Sequence, residues 1–110
     1  MTTRLPAHLE VSGLLRRVGA EGGFATVIRK GERDAGSILV ALCHNGAQMR
    51  LFERFPDHSG HRVWTRIGVQ DTEKQDEISE YLTRRAAQDP DLWIIELDIA
   101  NGERFIGLTD

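Results

Sequence analysis

A chain of 110 residues fits one domain, and at this size folding takes roughly two thirds of the unfolded surface out of water, enough for one core. A composition of 40% hydrophobic and 28% charged residues excludes intrinsic disorder, and no apolar run approaches the roughly 18 residues that span a bilayer. The net charge of −3 excludes a globally basic nucleic-acid binder, but it is unevenly spread: residues 1–70 carry ten Lys/Arg against six Asp/Glu, and residues 71–110 four against eleven. A basic body therefore precedes an acidic segment, which leaves room for a local anion-binding patch or for neutralisation of one segment by the other. Cys43 is the only cysteine, so an intramolecular disulfide and a multi-cysteine zinc site are excluded. The N-terminal "MTTRLPAHLEVSGLL" lacks the continuous apolar core of a signal peptide, and the expected location is the cytoplasm, without a membrane.

In chain order, Pro6 opens a predicted helix that runs to about Glu21, with Val11, Leu14, Leu15 and Val18 at the i, i+3, i+4, i+7 spacing of one buried stripe. Gly13 inside it costs about 1 kcal/mol relative to Ala unless another element needs the close approach, and Gly22 or Gly23 ends the helix. From Phe24 the period changes to two. "FATVIRK" is a predicted strand, "GERDAG" a turn, and "SILVALCH" a strand apolar on both faces, hence central. Asn45-Gly46 suits a two-residue type I′ hairpin turn, which needs φ > 0 at both positions, and it returns the chain as "AQMRLFERF". After a loop at Pro56–Gly60, "HRVWTRI" is a fourth strand, and these four are expected to form a meander. Asp71 or Thr72 caps a second helix with Gln75 in the capping-box position, Ile78, Tyr81, Leu82 and Ala86 form its stripe, and Asp89-Pro90 ends it. "LWIIELDI" is a fifth strand, Asn101-Gly102 a turn, and "ERFIGL" a short sixth strand.

These elements give an α+β domain over residues 1–110: an N-terminal helix, a mostly antiparallel four- to six-stranded sheet, and a second helix before the last strand or hairpin. "GGFATVIRKGERDAGSILV" together with "DPDLWIIEL" resembles an uncharacterised family of short bacterial proteins, found in alphaproteobacteria and known as a domain of unknown function. The likeness covers nearly the whole chain and implies a single domain. It implies no activity, cofactor or catalytic residue.

Several local patterns suggest chemistry and are better explained by structure. "DHSGH" at 57–61 offers Asp57, His58 and His61 to a metal, with His44 across a hairpin, but Asp, Ser and Gly are what turns prefer, and no helical spacing fixes the ligands. No metal and no cofactor is expected. Cys43 and His44 are adjacent on a strand and point to opposite faces, so they form no nucleophile–base pair, and Cys43 is expected to be buried. The glycines of "GAEGG" follow a helix instead of opening one, which makes them a stop signal and not a phosphate cradle. Asp34, Asp89 and Asp91 lie in turns close to Gly or Pro and are assigned to local backbone bonding.

One pattern remains. Arg50, Phe52 and Arg54 share one face of the third strand, and Arg62, Trp64 and Arg66 one face of the fourth. Antiparallel pairing brings them together on one surface, provided that the register does not slip by one residue. That surface is expected either to lie under the acidic second helix as an internal layer or to bind. A binding face of Trp, Phe and Arg suits self-association or a protein partner first, and nucleic acid or a planar anion second. The sequence thus points to a non-enzymatic binding protein of unknown specific function, with an enzyme assembled from scattered residues as the alternative.

Overall fold

The computed structural model describes residues 5–56, 62–67 and 75–107. Its elements are α1 (Ala7–Ala20), β1 (Phe24–Arg29), β2 (Ile38–His44), β3 (Ala47–Pro56), β4 (Arg62–Ile67), α2 (Gln75–Gln88), β5 (Trp93–Asp98) and a 3-10 helix (Gly102–Ile106). The fold is α+β, with a five-stranded mixed sheet in the order β1-β5-β2-β3-β4.

The two most apolar strands pair at its centre. Residues Ile38 to Cys43 of β2 are all buried, and β5 is buried at Trp93, Ile94, Ile95 and Leu97. Burying both faces of both strands stabilises this pairing most, and the α2 crossover delivers β5 parallel to β2. The expected four-strand meander is therefore corrected: β2, β3 and β4 form it, whereas β1, exposed at four of its six residues, is displaced to the edge beyond β5.

Alternation along the strands gives each helix its own face. Val11, Leu14 and Val18 of α1 pack with Val40, Leu42, Phe52, Trp93, Ile95 and Leu97. The intervening residues Leu39, Ala41, Leu51 and Ile94 pack on the other side with Ile78 of α2, flanked by Tyr81, Leu82 and Ala86. The expected sixth strand is a 3-10 helix instead. Asn101 enters it at φ 55, and Phe105 and Ile106, adjacent in sequence, are both buried, which a strand with one inward face does not allow.

Turn chemistry behaves as the residues dictate. Asn45 and Gly46 have φ 53 and 75, as a type I′ turn requires. Gly22 sits at φ 88 after α1, with Gly23 N–H donating to the Val18 carbonyl and Gly22 N–H to that of Gly19, the two bonds of a Schellman stop. At the other end, Pro6 supplies no side-chain cap, and the first amides of α1 are met by the "GERDAG" turn. Ala7 N–H donates to the Asp34 carbonyl at 3.0 Å and His8 N–H to that of Arg33 at 2.9 Å.

The same turn clasps the "DPDLW" segment. Glu32 N–H donates to the Asp91 carbonyl at 2.9 Å, and the Trp93 indole donates to the Glu32 carbonyl at 2.7 Å. The Glu32 carboxylate accepts from the amides of Ala35 and Asp34, which hold its pKa below the usual value. Gly36 is needed here: a Cβ on it would lie inside contact distance of the Asp91 and Glu32 carbonyl oxygens and 2.9 Å from Trp93 Cδ1. Gly36→Ala is expected to cost about 1–3 kcal/mol in urea unfolding, the range for overpacking a filled site. A neutral result would mean that the clasp yields freely.

Candidate functional site

The β3–β4 register pairs Phe52 with Arg66, Arg54 with Trp64 and Pro56 with Arg62, so Arg50, Phe52, Arg54, Trp64 and Arg66 share one face. That face looks toward α1 and the 3-10 helix. The acidic helix α2 lies on the opposite side of the sheet, and it is α1 and the 3-10 helix that cover part of the pattern.

The six residues fall into different environments. Phe52, 5% exposed, is core. Arg50 makes a two-pronged bond to Glu103 of the 3-10 helix, 2.7 Å from Nε and 3.0 Å from Nη2. Arg54 makes another to Glu10 of α1, with Nη2 2.9 Å from Oε1, and its guanidinium carbon lies 5.2 Å from the Trp64 ring centroid. Trp64 is half-buried against the first core, and Arg66 is exposed on the β4 edge. Arg62 is placed by its backbone pairing. Among the described residues the Arg54 Nε, which is buried, has no hydrogen-bond partner.

Burial pushes the Glu103 carboxyl up, but the Arg50 hydrogen bonds, its own backbone amide and the charges of Arg50 and Arg66 together outweigh it, and the net pKa is lowered. A carboxylate that is harder to protonate folded than unfolded stabilises the fold above its unfolded pKa, about 4.3, and loses that contribution as pH falls through the lower folded value. Glu32 acts with the same sign. Stability measured by urea between pH 7 and pH 3 should therefore fall below about pH 4, less steeply in Glu103→Gln. An identical acid limb in that variant would show the Arg50 pair to be solvated.

Beside this layer lies a groove of about 350 Å³. Its walls are Leu5 just before α1, Leu9 and Gly13 along α1, Trp64 from β4, and Phe105 and Ile106 from the 3-10 helix. Arg17 closes one end, donating from Nη2 to the Phe105 carbonyl at 2.7 Å with its guanidinium carbon 5.9 Å from that ring centroid. Leu5 and Leu9 are 61% and 47% exposed, large for leucines next to a core. The lining is mostly apolar and its one carboxylate, Glu10, is held by Arg54. Such a groove has room for an apolar side chain but offers no activated acid, base or nucleophile.

Reasoning from the strands alone missed Leu5, Leu9, Gly13, Arg17 and Phe105. Part of the signal was present: Leu9, Gly13 and Arg17 recur every four residues, a second row on α1 beside its buried stripe, with Leu5 just before the helix. A Cβ at Gly13 meets nothing within 4 Å, so no packing partner among the described residues requires this glycine; its effect is to leave the groove open.

The remaining candidates sit in structural roles. Cys43 is buried, and burial, followed by Asp98 and Glu96, pushes its thiol up to about 11, far from a thiolate nucleophile at neutral pH. His44 is exposed, and the Asp98 carboxylate holds the hairpin turn through the amides of Asn45 at 2.7 Å and Gly46 at 3.2 Å. Asp89 accepts from the Asp91 amide at 3.1 Å, and Asp34 is exposed 3.9 Å from His8. Among the described residues no group of three or more His, Cys, Asp and Glu could hold a metal. The "DHSGH" segment and the Asp71–Thr72 cap lie outside the described residues.

Fold and site together define a small α+β domain with a helix on each face of a five-stranded mixed sheet and an apolar groove beside the first helix. Residues 5–107 match the family described as "Protein of unknown function (DUF1491)", and the chain belongs to that family. It is similar to the crystal structure of a DUF1491 family protein from Caulobacter crescentus CB15, with a TM-score of 0.82 and 32% identity over 94% of this chain and 96% of that one. An NMR structure of a DUF1491 family protein from the same organism gives 0.81 and 30% over 96% of each chain. The solution structure of protein Atu0922 from A. tumefaciens gives 0.79 and 29% over 98% of this chain and 97% of that one. No curated protein matches the chain. Among the described residues no helix is long and apolar enough to cross a membrane.

Proposed function

We propose that this chain is a non-enzymatic binding protein of the cytoplasm that takes an apolar side chain of a protein partner into the groove beside Trp64. The observation that carries the reading is the lining: exposed Leu5 and Leu9, the bare backbone at Gly13, and a half-buried tryptophan held in place by Arg54. A tryptophan whose ring is braced and whose outer edge meets solvent is the residue type that concentrates interface energy. Arg50 and Arg54 are neutralised by Glu103 and Glu10, which removes two of the charges that a nucleic-acid reading would use. The single thiol, buried and free, suits a reducing compartment.

Gly13→Leu separates binding from folding. In α1 a leucine is a better helix former than glycine by about 0.8 kcal/mol, and the space around the position is open, so the variant is expected to be at least as stable as the parent. Its side chain should occupy the groove. Short peptides that differ only in one Phe, Leu or Trp anchor, titrated by NMR, should bind the parent saturably and Gly13→Leu at least about tenfold more weakly. Peptides that bind both proteins equally, or that bind neither while a nucleotide or RNA binds the parent, would overturn the proposal.

A further inference from the structure

The sheet has a second unfinished surface. Among the described residues β1 pairs only with β5, so one side of its backbone has no strand partner there, and from Phe24 to Ile28 it carries neither charge nor proline, the devices that normally blunt a sheet edge. Phe24 is 75% exposed and Ile28 49%. Both lie on the α2 side. Phe24 pairs with Asp98, which faces that side, and the bulge between Val27 and Arg29 turns Ile28 with Arg29 toward Ile94, where they border a groove against Leu82 and Ala86. α2 packs over β2, β3 and Ile94 of β5, and among the described residues Phe24 and Ile28 of β1 stay exposed beside it.

We infer that β1 pairs antiparallel with β1 of a second copy of this chain about a two-fold axis at Thr26, joining the two sheets into one. The strand is self-complementary in that register. Residues whose numbers sum to 52 stand opposite each other, so Phe24 meets the partner copy's Ile28 on the α2 side, twice, and Ala25 meets Val27 on the α1 side. Thr26 faces its own copy, a pairing that sheets accept. Slipping by one residue would oppose Phe24 with Val27 of the other face, or with charged Arg29 while setting Ala25 of one face against Ile28 of the other. Charge runs the same way: Glu21, bridged to Arg104 at 2.8 Å, stands before β1 and Arg29 and Lys30 end it, so the antiparallel arrangement sets no two clusters of like charge against each other. β4, the other edge, carries Arg62 and Arg66 and has no such symmetry. The inference does not depend on what the Trp64 groove holds.

The register is open to a direct test by sedimentation equilibrium on the full chain. The parent is expected to show a reversible monomer–dimer equilibrium. Phe24→Lys and Ile28→Glu, each at an exposed position and each checked by NMR amide dispersion, should weaken dimerisation at least about tenfold alone. An equimolar mixture of the two variants should dimerise again, because one Phe24–Ile28 contact is then native and the other pairs opposite charges. A parent that is monomeric at every concentration, a dimer indifferent to both changes, or a mixture that stays monomeric would each overturn the inference; loss of the dimer in Gly13→Leu instead would place self-association at the Trp64 groove.

Discussion

Arg85→Ala is expected to destabilise the domain by about 3–5 kcal/mol, because it strands a charge under α2. Glu53, 4% exposed, stands opposite Leu39 on the β2–β3 ladder and faces the second core. Its two carboxylate oxygens lie 2.9 and 2.8 Å from Arg85 Nη2. These hydrogen bonds are the main cause of a raised Arg85 pKa, against an opposing effect of burial, so the guanidinium stays charged throughout the accessible range. Removing it leaves Glu53 either ionised without a partner or protonated in an apolar layer. Against a total stability of about 5–15 kcal/mol that loss is large. The double change Glu53→Leu with Arg85→Leu should recover most of it, since an apolar pair of similar volume is often no worse than a buried ion pair. Urea unfolding of the three variants measures both effects, and a loss below about 0.5 kcal/mol for Arg85→Ala would reduce the pair to a solvated surface bridge.

Phe52→Ala is expected to cost about 3–5 kcal/mol, the usual range for deleting a core aromatic, and to leave peptide binding unchanged in the folded fraction. Phe52 stands beside Val40 in the core that α1 shares and is not among the residues that line the groove. Trp64→Ala should show the reverse balance: a smaller loss of stability, because the ring is only half-buried, and a large loss of binding. Two aromatics with the same flanking arginines thus have different tasks, decided by which strand is at the sheet edge.

That difference was not legible in the sequence, although much around it was. The Arg–aromatic–Arg pairing followed from strand period and an unslipped register, and the Asn45-Gly46 and Gly22-Gly23 punctuation followed from φ > 0 alone. The helix over the face could not be read, because acidity drew attention to α2 while the carboxylates that pair with Arg50 and Arg54 are single residues, Glu103 and Glu10, on other elements. Strand order was likewise hidden: "FATVIR" and "WIIELD" both look like strands, and only the competition for β2's second edge decides that β5 wins it. The groove escaped because its mark is a deletion. Gly13 looks like a weak point in a helix until the surrounding space is known.

The central claim, that Trp64 marks the binding surface, is tested most directly by the chain's own two tryptophans. Trp93 is buried, with its indole bonded to Glu32 in the clasp, while Trp64 borders the groove. Fluorine NMR of 5-fluorotryptophan-labelled protein reports each separately. Titration with a peptide bearing a single Phe or Leu anchor should move the Trp64 resonance saturably and leave Trp93 in place. Saturable binding that leaves the Trp64 resonance unmoved would contradict the account.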